Sequence, residues 1–127
     1  MEWTFKSDQP IYAQLVEQIR LAIVSGDFVP GARLSSVRDM ATEAGVNPNT
    51  LQRALQELER LGLVYSQRTA GRFVTEDTAL IAQEKKAIAS ASAEAFLQAL
   101  QKLGFDLEEI ITLLRENKEE EHGDPDM

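Results

Sequence analysis

The sequence predicts a mainly α chain with a small β-wing: a winged helix-turn-helix followed by a two-helix dimerisation region. Three observations predict it. Between Ser36 and Leu61 two helical apolar patterns are hinged at Gly45. Two short apolar runs, Leu63-Val64-Tyr65 and Phe73-Val74, then flank the polar turn Arg68-Thr69-Ala70-Gly71-Arg72. From about residue 77 the composition changes to Ala, Ile and Leu with interspersed charges. A chain of 127 residues suits one small domain with an appendage and poorly suits a large enzyme core. The expected divisions are a winged domain over 1–75, a dimerisation region over 76–118 and an acidic disordered tail over 119–127.

Each element has a local cause. Trp3-Thr4-Phe5 alternates apolar and polar residues and reads as a short edge strand. Pro10 suits a first helical position, and Ile11, Leu15, Ile19, Ala22 and Ile23 repeat at helical spacing, so a first helix is expected over about 10–25. Gly26 ends it, and Pro30-Gly31 turns the chain before Leu34. Ser36 with Asp39 three residues on resembles a capping box, and Val37, Met40, Ala41 and Ala44 form a short apolar face. Gly45 suits the left-handed conformation that reverses the chain, and Val46 fills the elbow. Asn47 caps the next helix and Pro48 opens it, with Leu51, Ala54, Leu55, Leu58 and Leu61 as its buried stripe. After Gly62 come the two strands of the wing. A long amphipathic helix then carries Leu80, Ile81, Ile88, Phe96, Leu100 and Leu103. Asp106 with Glu109, and Phe105 with Ile110, form a capping box and hydrophobic staple for a last helix ending near Lys118.

The formal charge of −8 sits badly with nucleic-acid binding until its distribution is considered. Residues 1–75 hold eight basic and eight acidic groups, whereas 76–127 hold five basic and thirteen acidic. Within 32–75 six arginines face four acids, at the edges of the expected reading elements. Arginine suits forked contacts to phosphates and bases. There is no cysteine, which excludes disulfides and thiolate metal sites and is consistent with a reducing cytoplasm. The one histidine, His122, lies in the acidic tail and cannot anchor a metal site or a Ser/His/Asp triad. No signal pattern and no membrane-length apolar run is visible, so a soluble cytoplasmic chain is expected, with no membrane partner. No cofactor, carboxylate pair, activated nucleophile or phosphate-cradling loop is indicated, which argues against an enzyme.

A helix-turn-helix places the start of its second helix in the major groove of double-stranded DNA. Asn49 and Gln52 suit base edges there, Thr50 a phosphate or thymine methyl, and Arg53 guanine or phosphate. Periodicity alone leaves two readings open. Asn, Thr and Gln on an exposed helical face are also ordinary solvated residues, Asn47 serves first as a cap, and domains of this size also act as protein-interaction modules.

The residues themselves carry a resemblance. Pro30-Gly31-Ala32-Arg33-Leu34-Ser35-Ser36-Val37-Arg38-Asp39-Met40-Ala41, Gly45-Val46-Asn47-Pro48-Asn49-Thr50-Leu51, Ala54-Leu55-Gln56-Glu57-Leu58, Gly62-Leu63 and Gly71-Arg72-Phe73-Val74 resemble the GntR family of bacterial transcription regulators. Pro10-Ile11-Tyr12 is similar to the same family, and the short two-helix C-terminal part resembles its YtrA-like subgroup. The resemblance implies a sequence-specific regulator of double-stranded operator DNA, a homodimeric repressor of its own operon, with a transporter operon suggested by analogy. It implies that Arg38 meets operator phosphate or base and that Asn49, Thr50 and Gln52 read. The wing turn with Arg68 and Gly71 would approach the minor groove. The candidate DNA-binding set is thus Arg33, Ser36, Arg38, Asn47, Asn49, Thr50, Gln52, Arg53, Arg68, Thr69, Gly71 and Arg72. Ser35 stands where the family usually has proline, which implies a less rigid loop before the second helix; Thr69 stands where a first wing glycine is common, which leaves Gly71 alone and puts the closeness of the wing to DNA in doubt.

Two helices with wide apolar faces cannot bury them well on so small a domain, so pairing with a second copy is expected, the alternative being that both helices fold back on the winged domain as core. The residues of that face are Leu80, Ile81, Ile88, Phe96, Leu100, Leu103, Leu107, Ile110, Ile111 and Leu114. About forty residues in two helices cannot enclose a pocket of typical size, ~300 Å³ or more, so any small-molecule effector would sit at the dimer interface or between domains. The competing reading is a protein-interaction module whose acidic C-terminal helices bind a partner, with the winged domain as scaffold.

Overall fold

A computed structural model describes residues 1–122. The element order is α1 (Ile11–Ser25), α2 (Val37–Ala44), α3 (Pro48–Arg60), β1 (Val64–Gln67), β2 (Gly71–Val74), α4 (Thr78–Lys102) and α5 (Leu107–His122). The chain is mainly helical with a small two-stranded wing, the expected fold class. It divides into two compact units, Met1–Lys86 and Ala87–Met127.

In the first unit the helix ends lie where local chemistry sets them. Ser36 Oγ accepts from the Asp39 N–H at 3.1 Å, Asn47 Oδ1 accepts from the Asn49 N–H at 2.8 Å, and Pro48 opens α3. Gly45 closes α2 at φ +72°, a conformation costly for any residue with a Cβ, and its reversal separates α2 from α3. Pro10 stands one step earlier than expected, as the N-cap of α1.

Leu15, Ile19 and Ile23 of α1 interlock with Leu51, Leu55 and Leu58 of α3, Met40 and Ala41 of α2, and Leu63, Val64 and Val74 of the wing. Each fully buried aliphatic side chain contributes about 1.5–3 kcal/mol. The wing strands are antiparallel, with Val64 opposite Val74 and Gln67 opposite Gly71. Tyr65 and Phe73 stack at 5.5 Å between centroids.

Several other expectations are corrected by the structure. Trp3-Thr4-Phe5 is not a strand: its backbone groups bond side chains instead, Thr4 N–H donating to Gln18 Oε1 and Thr4 O accepting from Gln18 Nε2 at 2.6 Å. The segment after Pro30-Gly31 is more than a turn, because Gly31 N–H donates to Val74 O, Val74 N–H to Ala32 O and Leu34 N–H to Arg72 O, which lays it along β2. Leu80 and Ile81, assigned to the dimerisation face, pack against the winged core. Finally, α5 continues to His122, past the end expected near Lys118, so 119–122 are helical and not a disordered tail. The expectation for Gly123 to Met127 lies outside the described residues.

No residue of α4 is fully buried, and from Ala87 on the helix belongs to the second unit. Asp106 and Glu109 form the expected reciprocal capping box, Glu109 N–H donating to Asp106 Oδ1 at 2.9 Å and Asp106 N–H to Glu109 Oε1 at 3.0 Å. Ile110, also assigned to the dimerisation face, is buried within the single chain.

Candidate nucleic-acid interface

The first turn of α3 presents an exposed Asn49 and a half-buried Thr50, because Leu51, Ala54 and Leu55 turn the opposite side of the helix into the core. One turn further, Gln52 is half-buried and Arg53 exposed. Arg38, in the first turn of α2, is exposed and makes no ion pair among the described residues. Arg68 and Thr69 are exposed in the wing turn. Asn49, Thr50, Arg38, Arg68 and Thr69 make no side-chain hydrogen bond among the described residues, which leaves their polar atoms available to a partner.

The other members of the candidate set are engaged within the fold. Ser36 and Asn47 have their oxygens committed to caps. The Arg53 guanidinium lies 4.8 Å from the centre of the Tyr12 ring, a cation–π contact that holds its base on α1. Arg33 runs alongside β2, and a Cβ built on Gly71 would sit 3.2 Å from Arg33 Nε. Gly71, at φ +107°, therefore leaves room for the Arg33 side chain, a structural use besides the expected approach to DNA.

Arg72 departs most from expectation. Only 19% of its side chain is exposed; Nε donates to Glu59 Oε1 at 3.3 Å and Nη1 to Gln52 Oε1 at 3.2 Å. Glu59 also accepts from the Ser66 hydroxyl. Arg72 thus ties the wing to α3 and does not project from the wing. The signal was present in strand alternation: Arg72 shares the face of Val74, a core residue, and lies opposite to Phe73 in side-chain direction. Glu59 and Ser66, the other partners, were missed because neither carries a motif.

Two further ion pairs frame the unit. Arg20 Nη2 meets Glu84 Oε2 at 2.7 Å between α1 and the start of α4, and Nη1 meets Glu17 Oε1 at 3.2 Å. Burial pulls the Arg20 guanidinium down, but the hydrogen bond and charge of Glu84, with Glu17, outweigh it and hold the group above its ordinary value. On the exposed side of α3, the Arg60 hydrogen bond holds the Glu57 carboxyl below its usual range. No helix among the described residues is long and apolar enough to cross a membrane, and no cluster of His, Asp and Glu among them could hold a metal ion.

A capped α2, a glycine elbow, a polar face at the start of α3 and an adjacent two-stranded wing define a winged helix-turn-helix protein that reads DNA. Comparison with known proteins gives the family. The model of the bacterial regulatory proteins, gntR family, matches residues 11–74. The chain is 38% identical over 111 residues to the uncharacterized HTH-type transcriptional regulator YhcF of Bacillus subtilis, covering 87% of this chain and 92% of that protein. It is 39% identical over 72 residues to the HTH-type transcriptional repressor YtrA of the same organism, covering 57% and 55% respectively. A GntR family transcriptional regulator from Listeria monocytogenes superposes with a TM-score of 0.84 at 40% identity, covering 88% of this chain and 98% of that one. The DNA-binding domain of AraR in complex with operator ORX1 superposes with a TM-score of 0.54 at 29% identity, covering 59% and 96%. The chain belongs to the GntR family of DNA-binding transcription regulators, and its likeness to YtrA places it with the YtrA-like subgroup. The family's members are regulators and not enzymes.

Proposed function

We propose that the chain is a homodimeric repressor that binds an operator in its own promoter, with Asn49, Thr50 and Gln52 as base contacts and Arg38 as a phosphate contact. The observation that carries this reading is the exposed polar start of α3 flanked by Arg38, whose side chain has no partner among the described residues. Repression is supported by the likeness to YtrA, a transcriptional repressor. A transporter operon as the target rests on subgroup analogy.

Dimerisation is supported by apolar surface in the second unit. Leu103 is 72% exposed, Phe96 44% and Leu114 49%, large apolar side chains that a second copy would cover. The face comprises Ile88, Phe96, Leu100, Leu103, Leu107, Ile111 and Leu114, without Leu80, Ile81 and Ile110. It would leave 1–86 as the reading domain and 87–122 as the pairing region. A small-molecule effector would bind where two copies meet. Light scattering on a gel-filtered sample tests the pairing, with a dimer expected at micromolar concentration. A mobility shift with the chain's own promoter tests the operator and separates this reading from a protein-interaction module, which would leave that DNA unshifted.

A further inference from the structure

The Gln52 side-chain amide turns its oxygen towards Arg72. Arg72 Nη1 lies 3.2 Å from Gln52 Oε1. A guanidinium carries donors and no acceptor, so the amide must turn its oxygen towards Arg72; its nitrogen there would set N–H against N–H. Arg72 is itself fixed, with Nε donating to Glu59 Oε1 at 3.3 Å and Glu59 accepting from Ser66. The two ends of a carboxamide diverge from one carbon, so the Gln52 NH2 group points away from Arg72.

We infer that Arg72 is a specificity-determining positioning residue that turns the donor end of Gln52 outward and so makes it selective for guanine over adenine. The inference rests on the reading of Gln52 as a base contact. An unconstrained glutamine pairs with adenine by accepting from N6–H and donating to N7. Arg72 takes one of the oxygen's two lone pairs and sets a positive charge beside it, so accepting from the adenine N6–H is disfavoured while both amide N–H donors remain. Guanine offers N7 and O6 as neighbouring acceptors in the major groove, which matches two donors; thymine, with O4 alone, matches less well. The positive charge beside Oε1 also polarises the amide and strengthens the donors it leaves free.

The test is selection of bound duplexes from a random library by the full chain, comparing wild type, Gln52→Ala, Arg72→Met and Arg72→Thr. The position read by Gln52 is the one that Gln52→Ala flattens. At that position the wild type is expected to favour guanine over adenine by roughly fivefold or more. Both Arg72 variants should move the preference there towards adenine and leave the other positions unchanged, which a general loosening of the wing would not do. Thermal melting establishes that the variants are folded. An adenine preference in the wild type at that position overturns the inference without any Arg72 variant. So does an unchanged guanine preference in a folded Arg72 variant. If Gln52→Ala flattens no position, Gln52 reads no base, and the underlying assignment fails together with the inference drawn from it.

Discussion

Arg20 in α1 grips Glu84 in α4 at 2.7 Å, with both side chains mostly buried. Glu84 lies beyond residues 11–74, the stretch that matches the family model, yet it belongs to the same compact unit as the winged domain. The first turns of α4 are thus structural parts of this unit: on one face of the helix Glu84 pairs with Arg20 while Leu80 and Ile81 pack on the core. Glu84→Ala should lower the stability of this unit by about 1–3 kcal/mol, since it leaves a partly buried guanidinium short of a partner. Thermal melting checks this, with a drop of several degrees expected.

Gly62 and Leu80 yield a second prediction. Gly62 sits at φ +83°, and a Cβ built there would lie 3.1 Å from Leu80 Cδ2. Gly62→Ala combines a left-handed backbone cost of about 1–2 kcal/mol with a clash against the α4 side chain. Gly26→Ala is the control, at φ +92° with nothing within 4 Å of the added carbon. Denaturant unfolding should show the larger loss for Gly62→Ala, and Leu80→Ala should reduce the difference between the two.

The Arg60–Glu57 pair predicts a pH dependence. The hydrogen bond from Arg60 is the main cause of the lowered Glu57 pKa; partial burial opposes it and the charge of Arg60 adds to it. A carboxyl whose folded pKa lies below its unfolded value stabilises the fold above the unfolded value, and that contribution is lost as pH falls through the folded one. Carboxyl-detected NMR titration should place the Glu57 midpoint below the ordinary glutamate range, and Arg60→Ala should return it there.

The exposed apolar side chains of the second unit predict that Phe96→Glu combined with Leu103→Glu yields a monomer by light scattering. Neither residue is in the winged core, so circular dichroism should remain helical while affinity for a two-fold operator falls at least tenfold through loss of the second half-site. A dimer persisting in the double variant would place the pairing surface elsewhere.

Much of the fold was legible because its signals are local. Ser36, Asn47, Asp106 and Glu109 cap the helices they precede or begin, and Gly26 and Gly45 close theirs, since those conformations depend on a few adjacent residues. The elements misread depend on partners distant in sequence. Trp3 to Phe5 alternates like a strand but has no strand to pair with, and Gln18 of α1 satisfies the Thr4 backbone. The stretch Ala32 to Leu34 shows too short a pattern to announce its pairing with β2. At the candidate interface, residue types identified the polar start of α3. They could not reveal that Arg72 and Arg53 have partners inside the fold, because a charged side chain looks alike in sequence whether it meets Gln52, Tyr12 or DNA.

The central claim is that the start of α3 reads DNA while Arg38 holds the backbone. A salt-dependent mobility-shift titration of wild type, Arg38→Ala and Gln52→Ala on the chain's own promoter tests it most directly. Arg38→Ala should lower the salt slope by about 1 per protomer, hence about 2 for a dimer, and weaken binding to all sequences alike. Gln52→Ala should keep the slope and cost about 1–3 kcal/mol on the operator alone. Folded variants that bind the operator with wild-type affinity and slope would contradict the claim.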